Sequence, residues 1–128
     1  MTAALKTIMV VDDAALVRVY HRSILEEAGF RVTEALNGLE ALETLLAGTV
    51  DLLILDINMP QMDGLTFLRM LRQKEGPMAS IPALITSTES AASDLASARA
   101  AGANYYLVKP VASGQLVEVA RMLCGVAP

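Results

Sequence analysis

Four short apolar runs of this sequence are each followed by side chains that can bind cations or anions. In chain order, these side chains are Asp12, Asp13, Asp56, Ser87, Thr88 and Lys109. Taken singly, each has an ordinary explanation, such as a helix cap, a turn or a solvated ammonium group. Together they supply three carboxylates, two hydroxyls and one ammonium group, and these groups suit one another in a single site.

Three carboxylates in one site require a compensating cation. Two carboxylates about 4 Å apart repel each other by about 4 kcal/mol at an effective dielectric constant near 20, so such a group either takes up protons or binds a cation. Hard oxygen ligands with room for water and phosphate oxygens suit Mg²⁺ better than Ca²⁺. Zinc is disfavoured because His21 is the only histidine and has no Cys or His partner. We interpret His21, which lies mid-helix among polar residues, as a surface residue.

A carboxylate beside Mg²⁺ can attack phosphorus and form an acyl phosphate. Phosphoryl transfer depends mainly on positioning and on neutralising the equatorial oxygens. A Mg²⁺ ion at Asp13 and Asp56 would hold one oxygen, the Lys109 ammonium a second, and a hydroxyl with backbone amides a third. The residue types therefore favour phosphoryl chemistry.

Strand patterns alternate with helical patterns along the whole chain. Strands are predicted at residues 8–11, 31–35, 52–55, 83–86 and 105–108. The helices between and after them are predicted from Val17, Tyr20, Ile24, Leu25 and Ala28; Leu39, Leu42, Leu45 and Leu46; Leu65, Leu68 and Leu71; residues 90–101; and Leu116, Val119, Ala120 and Leu123. Gly29 is expected as the first helix C-cap, with Gly48 and Gly102 ending two later helices. Five such repeats predict an α/β fold, a doubly wound parallel sheet with helices on both sides. The carboxyl ends of its strands would bring the polar residues together.

Composition and charge exclude several classes of protein. The chain has 128 residues, a formal net charge of −4 and 54% hydrophobic residues, which suits one domain over residues 1–128. No apolar run approaches the roughly 18–20 residues that span a bilayer, so no membrane insertion is expected. The acidic balance argues against nucleic acid as a direct partner. The group Arg69, Arg72 and Lys74 is interpreted as a solvated helix end.

Residues near the two ends of the sequence indicate a cytoplasmic protein. Residues 1–6 have no long apolar stretch after their one positive charge, so no signal peptide is expected. Cys124 is the only cysteine, so no intrachain disulfide can form, and a reducing compartment fits best. We interpret Cys124 as a small core residue rather than a reactive thiol.

The sequence resembles the receiver domains of bacterial two-component signalling over essentially its whole length. The matching segments are residues 10–13, 55–64 and 101–110, which hold the acidic pair, the stretch from Asp56 to Gly64, and Lys109-Pro110. Stand-alone chemotaxis members are the most similar, because Asn58-Met59-Pro60, Glu89 and Tyr106 match their pattern. The resemblance implies a flavodoxin-like fold of five strands in the order 2-1-3-4-5 with five helices.

The resemblance also implies a role for each residue of the acidic site. Asp56 is then the phosphoacceptor and Asp13 a direct Mg²⁺ ligand, with Asp12 acting mainly through water. The backbone carbonyl of Asn58 is implied as a third protein ligand, and Lys109 as the cation that contacts phosphate. The bond from Lys109 to Pro110 is implied to be cis, which is uncommon for X–Pro bonds in general.

A switch is implied on the next two strands. Its hydroxyl is Ser87, where the family more often has Thr, and its aromatic residue is Tyr106, which turns inward; the neighbouring Tyr105 leaves this assignment ambiguous. Asn58 and Glu89 are implied to tune the lifetime of the phosphoryl group. Thr88 replaces a usual small residue and would narrow access to the phosphate.

Partners follow from the same resemblance. A sensor histidine kinase or phosphotransfer protein would supply the phosphoryl group, and a downstream protein would bind the surface of the fourth helix, fifth strand and fifth helix. Chemotaxis is one pathway that the resemblance suggests. The chain would not be an enzyme beyond its own phosphorylation and dephosphorylation. It could instead be the receiver part of a larger protein or a phosphorelay intermediate.

Two other functions of an α/β protein fit these residues less well than a receiver domain does. An aspartyl-phosphate phosphatase would want a second acid two residues after the nucleophile, where this chain has Asn58. A flavin-binding module would want a phosphate loop after the first strand. The chain instead has Asp12-Asp13-Ala14-Ala15, which would repel phosphate in the absence of a metal.

Overall fold

A computed structural model describes residues 5–126 of the chain. The first four residues, on which part of the signal-peptide expectation rests, lie outside that range. The strands are β1 (Thr7–Val11), β2 (Arg31–Ala35), β3 (Leu52–Asp56), β4 (Ala83–Ser87) and β5 (Tyr105–Val108). The helices are α1 (Ala15–Glu27), α2 (Gly38–Ala47), α3 (Gly64–Arg72), α4 (Ala92–Ala101) and α5 (Ser113–Cys124). A short 3₁₀ helix, Pro77–Ser80, precedes β4 and was not predicted.

The five strands form one parallel sheet in the order β2-β1-β3-β4-β5. This confirms both the doubly wound class predicted from the pattern and the order implied by the resemblance. All five residues of β3 are buried, as expected for a central strand covered on both faces. Among the described residues, the structure shows no helix long and apolar enough to cross a membrane.

Strand side chains alternate between two cores, one on each face of the sheet. The α1/α5 core packs those two helices against Ile8, Val10, Leu52, Ile54, Leu84 and Leu107. The α2–α4 core packs the other three helices against Met9, Val11, Leu53, Leu55, Ala83 and Ile85. Cys124 belongs to the α1/α5 core, and burial raises the pKa of its thiol to about 11. The interpretation of Cys124 as a core residue is confirmed.

The helix faces differ from the predicted ones in two places. On α2, Leu39 and Leu46 are 55% and 70% exposed, while Ala41 and Leu45 are buried. On α1, Tyr20 is largely exposed. Leucines at adjacent positions offer several possible apolar stripes, and packing against the sheet decides which one is buried.

His21 is buried, which corrects its interpretation as a surface residue. Its exposure is 2%, and its Nδ1 atom has no hydrogen-bond partner within the described part of the chain. The prediction was wrong because it rested on the polar residues next to His21 in sequence. Adjacent residues of a helix lie on different faces, so they do not indicate whether His21 is exposed. Burial lowers the pKa of His21, with Asp12 raising it and Lys109 lowering it by smaller amounts.

Arg72 is not part of a solvated helix end, as the sequence had suggested. Its guanidinium donates hydrogen bonds to the carbonyl oxygens of Gly102, Ala79 and Ile81 at 2.7–3.1 Å and to Asn104 Oδ1 at 3.2 Å. These contacts join the end of α3 to the 3₁₀ helix and to the α4–β5 turn. Sequence spacing carries no signal for most of these contacts because three of the four accepting groups are backbone carbonyls.

Helix ends agree closely with the predicted glycines. Gly48 is the C-cap of α2 and Gly102 that of α4. The C-cap of α1 is Ala28 rather than the predicted Gly29, which follows it with a positive φ of 98°. Glycine adopts that left-handed conformation without steric cost.

The turn from β3 into α3 requires a glycine at position 64. The Gly64 N–H donates to the Ile57 carbonyl at 2.9 Å. A Cβ atom at Gly64 would lie 2.2 Å from the backbone oxygen of Asp56. The start of α3 therefore lies directly against the backbone of the central acidic residue.

The close approach at Gly64 predicts that Gly64→Ala destabilises the fold by about 3 kcal/mol, because backbone rather than a flexible side chain must move. Gly114→Ala is the matched control, since a Cβ atom there would meet nothing within 4 Å; its expected effect is at most about 1 kcal/mol, in the stabilising direction. Urea unfolding of the two variants and the native chain measures both values. Equal effects would contradict the steric argument.

The buried His21 predicts a loss of stability in mild acid. Its pKa is lower in the folded state than in the unfolded state, so the unfolded chain takes up the proton first as the pH falls below about 6.5. The native chain should lose about 1 kcal/mol more than His21→Leu between about pH 7.5 and pH 5.5. Urea unfolding at both pH values tests this, and the comparison cancels the titration of the carboxylates. An identical pH dependence in the two chains would refute it.

Candidate functional site

Strand alternation points Asp12, Asp56 and Lys109 toward the same side of the sheet. In each case the residue two positions earlier is a member of the α1/α5 core; these residues are Val10, Ile54 and Leu107. Asp56 is itself the last residue of β3. The carboxyl edge of the sheet therefore brings the three side chains together, as the sequence predicted.

Three carboxylates and one ammonium group form what we call the acidic site: Asp12, Asp13, Asp56 and Lys109. One oxygen of each carboxylate lies within 4.8 Å of the others. The Lys109 Nζ atom is 2.8 Å from Asp12 Oδ2 and 3.1 Å from Asp56 Oδ1. Asp12 and Asp56 are buried, whereas Asp13 is exposed. The site is thus closed toward the sheet and open on the Asp13 side.

The acidic site carries more negative charge than its own ammonium group can balance. Burial raises the pKa of Asp56, and the charge of Asp12 raises it further, against the smaller opposite effects of Lys109 and the Asn58 backbone amide. Burial lowers the pKa of Lys109, but its hydrogen bonds to Asp12 and Asp56 have the opposite effect, and the net result is a raised pKa. A divalent cation with a preference for oxygen ligands fits this surplus of carboxylate charge.

Asp12 is held more firmly than its two acidic neighbours. Its Oδ1 accepts a hydrogen bond from the Ala14 N–H at 2.9 Å and its Oδ2 from Lys109 at 2.8 Å. Its own N–H donates to the Ala35 carbonyl at 3.1 Å. Both carboxylate oxygens are therefore engaged within the protein, which suits contact with a metal through water better than direct ligation.

Strand alternation directs Ser87, the last residue of β4, toward the α2–α4 core rather than the α1/α5 core. It comes two residues after Ile85 of the α2–α4 core and is fully buried. Its Oγ accepts a hydrogen bond from the Glu89 N–H at 3.1 Å, and its carbonyl accepts one from the Lys109 N–H at 2.7 Å. Thr86 alternates to the other face of the sheet, and its hydroxyl is directed at the Leu55 carbonyl at 3.5 Å.

The two tyrosines of β5 have different environments. Tyr106 lies beside Ile85 in the β4–β5 register, packs against the α2–α4 core and donates from its hydroxyl to the Glu89 carbonyl at 2.8 Å. Tyr105 is 42% exposed. Tyr106 therefore shares a face with Ser87, and both residues bind the backbone of Glu89.

Backbone contacts of Glu89 and the position of Arg18 were missed by the sequence analysis. Glu89 was considered only for its carboxylate, which is exposed, although its amide and carbonyl link Ser87 to Tyr106. The sequence assigned no role to Arg18, yet its guanidinium donates to the Asp12 carbonyl at 2.7 Å. Contacts to backbone atoms leave no residue-type signal that could have revealed them.

The segments that follow β3, β4 and β5 carry further residues that the sequence assigned to the site. Asn58 and Thr88 are exposed, each on the segment that follows a central strand. The Lys109–Pro110 peptide is cis, which confirms the expectation taken from the family. The structure does not bring the Asn58 or Glu89 side chain into the hydrogen-bonded group of Asp12, Asp56 and Lys109.

Comparison with known proteins gives extended matches to receiver domains. Residues 8–121 match the family model described as response regulator receiver domain. Over 114 residues the chain is 40% identical to a protein-glutamate methylesterase/protein-glutamine glutaminase of Archaeoglobus fulgidus, covering 88% of this chain and 31% of the relative. A Rhodospirillum rubrum protein of the same description is 43% identical over 105 residues, covering 80% and 28%. The chain spans less than a third of the length of these curated relatives.

Solved structures with the same fold cover nearly the whole chain. Chemotaxis protein CheY4 of Vibrio cholerae has a TM-score of 0.87 at 30% identity, covering 94% of this chain and 99% of that one. A putative response regulator from Chloroflexus aurantiacus has a TM-score of 0.89 at 31% identity, covering 95% and 99%. With its sheet order, acidic edge and family match, the chain belongs to the response regulator receiver domain family and is a CheY-like receiver domain of two-component signalling.

Proposed function

We propose that residues 1–128 act as one receiver domain that accepts a phosphoryl group on Asp56 in a Mg²⁺-dependent reaction. The donor is a sensor histidine kinase or a phosphotransfer protein. The observation that carries the proposal is the buried Asp56 carboxylate, which lies 3.1 Å from the Lys109 ammonium and within 4.8 Å of two further carboxylates. The family to which the chain belongs uses such an acidic pocket for Mg²⁺.

The residues of the acidic site divide the chemistry among them. Asp13, Asp56 and the Asn58 backbone carbonyl would hold Mg²⁺, with Asp12 contacting it through water. The bound ion supplies positive charge that offsets the charge of the phosphoryl oxygens. An Asp56 oxygen forms a bond to phosphorus as the bond from phosphorus to the donor's imidazole nitrogen breaks. Lys109, already 3.1 Å from Asp56, donates to a phosphoryl oxygen carried there.

The signal would leave the site through Ser87. Phosphorylation of Asp56 adds charge and acceptor oxygens, toward which the Ser87 hydroxyl can move. Ser87 Oγ now accepts from the Glu89 N–H, so its movement changes the position of the Glu89 backbone, which also binds the Tyr106 hydroxyl. Moving such a two-state equilibrium from 1:99 to 99:1 requires about 5.5 kcal/mol of differential stabilisation.

The surface formed by α4, β5 and α5 is the proposed site for a downstream protein. A cavity of about 330 Å³ lies between α4 and β5 and is lined by residues including Leu95, Arg99, Tyr105 and Tyr106. Rotation of Tyr106 would reshape this cavity, and so couple partner binding to phosphorylation. A chemotaxis target is in keeping with the CheY4 likeness. A phosphorelay intermediate, or the receiver of a larger protein, would use the same chemistry.

Loss of the phosphoryl group requires a water molecule aligned with phosphorus. Asn58 lies two residues after Asp56 and Glu89 two after Ser87, and both side chains are exposed. We propose that these two side chains tune the approach of that water and hence the lifetime of the phosphoryl group. The domain is then a signalling module whose only reactions are its own phosphorylation and dephosphorylation.

Intact-mass analysis after incubation with Mg²⁺ and acetyl phosphate tests the proposed function. The native chain should gain the mass of one phosphoryl group, while Asp56→Asn should gain none, because the amide is a poor nucleophile. Asp63→Asn is the matched control, since Asp63 caps α3 through a hydrogen bond to the Thr66 N–H; that variant should be labelled like the native chain. An unlabelled native chain would refute the proposal.

The surplus charge of the acidic site predicts opposite effects of Asp56→Asn with and without metal. In metal-free buffer at neutral pH the variant should be more stable than the native chain, by about 1 kcal/mol, because it removes a buried charge beside Asp12. Mg²⁺ at a hundred times its dissociation constant should stabilise the native chain by about 2.7 kcal/mol and the variant by much less. Thermal melts with and without Mg²⁺ measure this. Equal metal effects on both chains would contradict it.

Ser87→Ala should keep phosphorylation but weaken the response of Tyr106, because the variant lacks the hydroxyl that accepts from the Glu89 N–H and that would move toward the phosphoryl group. The rate of labelling by acetyl phosphate and the accompanying change in tyrosine fluorescence measure the two steps separately. Thr88→Ala removes the exposed neighbouring hydroxyl and should keep the native fluorescence change. A native-sized fluorescence change in labelled Ser87→Ala would exclude this route.

A further inference from the structure

We infer that Arg18 is a positioning residue for the acidic pair: it fixes the peptide group between Asp12 and Asp13, and Glu34 holds its guanidinium in place. This inference deepens the proposed function and rests on its use of Mg²⁺. It assigns to α1 and β2 a part in the acidic site, although neither element contributes a side chain to that site.

The contacts of Arg18 are short and largely shielded from solvent. Its Nη1 donates to the Asp12 backbone oxygen at 2.7 Å, and its Nε donates to Glu34 Oε1 at 3.0 Å. The side chain is 12% exposed. Its own N–H donates to the Ala14 carbonyl at 3.1 Å in the first turn of α1. The guanidinium therefore joins a strand end, a helix and the neighbouring strand.

Glu34 holds the guanidinium from the edge of the sheet. It lies on β2 opposite Val10 in the β1–β2 register, close to the end of β1. Its second oxygen, Oε2, accepts a hydrogen bond from Arg22 Nη1 at 2.7 Å, and Arg22 also pairs with Glu26 at 3.3 Å. The hydrogen bond from Arg22 is the largest cause of a lowered Glu34 pKa, but a glutamate is ionised at neutral pH even at its ordinary pKa, so Glu34 can bind Arg18 with or without Arg22.

The atom that Arg18 binds controls the direction of Asp13. The Asp12 carbonyl belongs to the peptide plane that joins the two aspartates, and peptide planes rotate as units. The Asp12 N–H and both of its carboxylate oxygens already have partners in Ala35, Ala14 and Lys109. The bond from Arg18 engages the remaining polar group of Asp12. It thereby sets where the exposed Asp13 carboxylate stands relative to Asp56.

The sign of the effect separates positioning from simple charge. As a charge alone, the Arg18 guanidinium would repel a cation in the acidic site, and its removal would tighten Mg²⁺ binding. As a positioning group, its removal releases the Asp12–Asp13 peptide and weakens Mg²⁺ binding. Partners that orient metal ligands typically contribute about 10–100-fold in metal affinity. Because Arg18 binds the peptide group between Asp12 and Asp13 directly, we expect its positioning effect on Mg²⁺ binding to exceed its charge repulsion.

Calorimetric Mg²⁺ titrations of Arg18→Gln and Arg22→Gln test the inference. Arg18→Gln should raise the Mg²⁺ dissociation constant about tenfold. Arg22→Gln takes the other arginine from the same Glu34 carboxylate and leaves the Asp12 contact intact, so it should change the constant less than about twofold. Arg18→Lys should be intermediate, because one ammonium group cannot replace the fork of donors that reaches both acceptors. At low Mg²⁺, acetyl phosphate should label Arg18→Gln more slowly than the native chain. At saturating Mg²⁺, the two chains should be labelled at similar rates.

Unchanged or tighter Mg²⁺ binding by Arg18→Gln overturns the inference. If that variant does not fold in a thermal melt, Glu34→Gln provides the test: it keeps an acceptor without the charge and should weaken Mg²⁺ binding severalfold, and a native constant overturns the inference. If the native chain binds Mg²⁺ but is not labelled, the proposed phosphorylation is refuted. The Mg²⁺ dissociation constants of the native chain and Arg18→Gln then still test the role of Arg18. A native chain that does not bind Mg²⁺ overturns both.

Discussion

Three carboxylates meet one ammonium group at the carboxyl edge of this sheet, and that imbalance of charge governs the rest of the structure. Burial of Asp56 and the nearby charge of Asp12 both favour the neutral carboxyl, while Lys109 can donate to only part of the cluster. Such an arrangement is stabilised when a divalent cation enters or when one carboxylate takes up a proton. The same surplus of negative charge underlies the proposed phosphorylation of Asp56 and the proposed switch.

The surrounding backbone keeps these like charges close together. Gly64 lets the start of α3 lie against the Asp56 backbone. Lys109 is fixed through its N–H to the Ser87 carbonyl, and Arg18 fixes the Asp12 carbonyl. The acceptors of these bonds are backbone carbonyl groups rather than the carboxylates, so the positions of the groups persist as the charge of the carboxylates changes. In the proposed function, a preorganised frame of this kind would direct the effect of the added phosphoryl charge to the Ser87 hydroxyl.

The proposed route from the acidic site to the surface crosses the sheet. Asp12, Asp56 and Lys109 each come two residues after a member of the α1/α5 core, whereas Ser87 comes two residues after Ile85 and Tyr106 packs against the α2–α4 core. The Glu89 backbone connects the last two, accepting from Tyr106 and donating to Ser87. Because one peptide segment holds both residues, a displacement at Ser87 cannot leave the environment of Tyr106 unchanged. This is the physical basis on which phosphorylation and partner binding can be linked.

Local patterns in the sequence determined the strands, the sheet class and the acidic residues at its edge, because strand alternation and helix spacing depend on near neighbours. The strand order came from likeness to a family and was confirmed by the pairing. Tertiary structure alone decided that His21 is buried, that Leu39 and Leu46 face outward, and that Tyr106 rather than Tyr105 contacts Glu89. It also decided the contacts of Arg18 and Arg72 with distant carbonyl groups. Packing between elements far apart in the chain decides which face of a helix is buried, so local sequence patterns do not reveal it. Every residue has a backbone carbonyl, so the sequence also does not reveal which carbonyl a side chain binds.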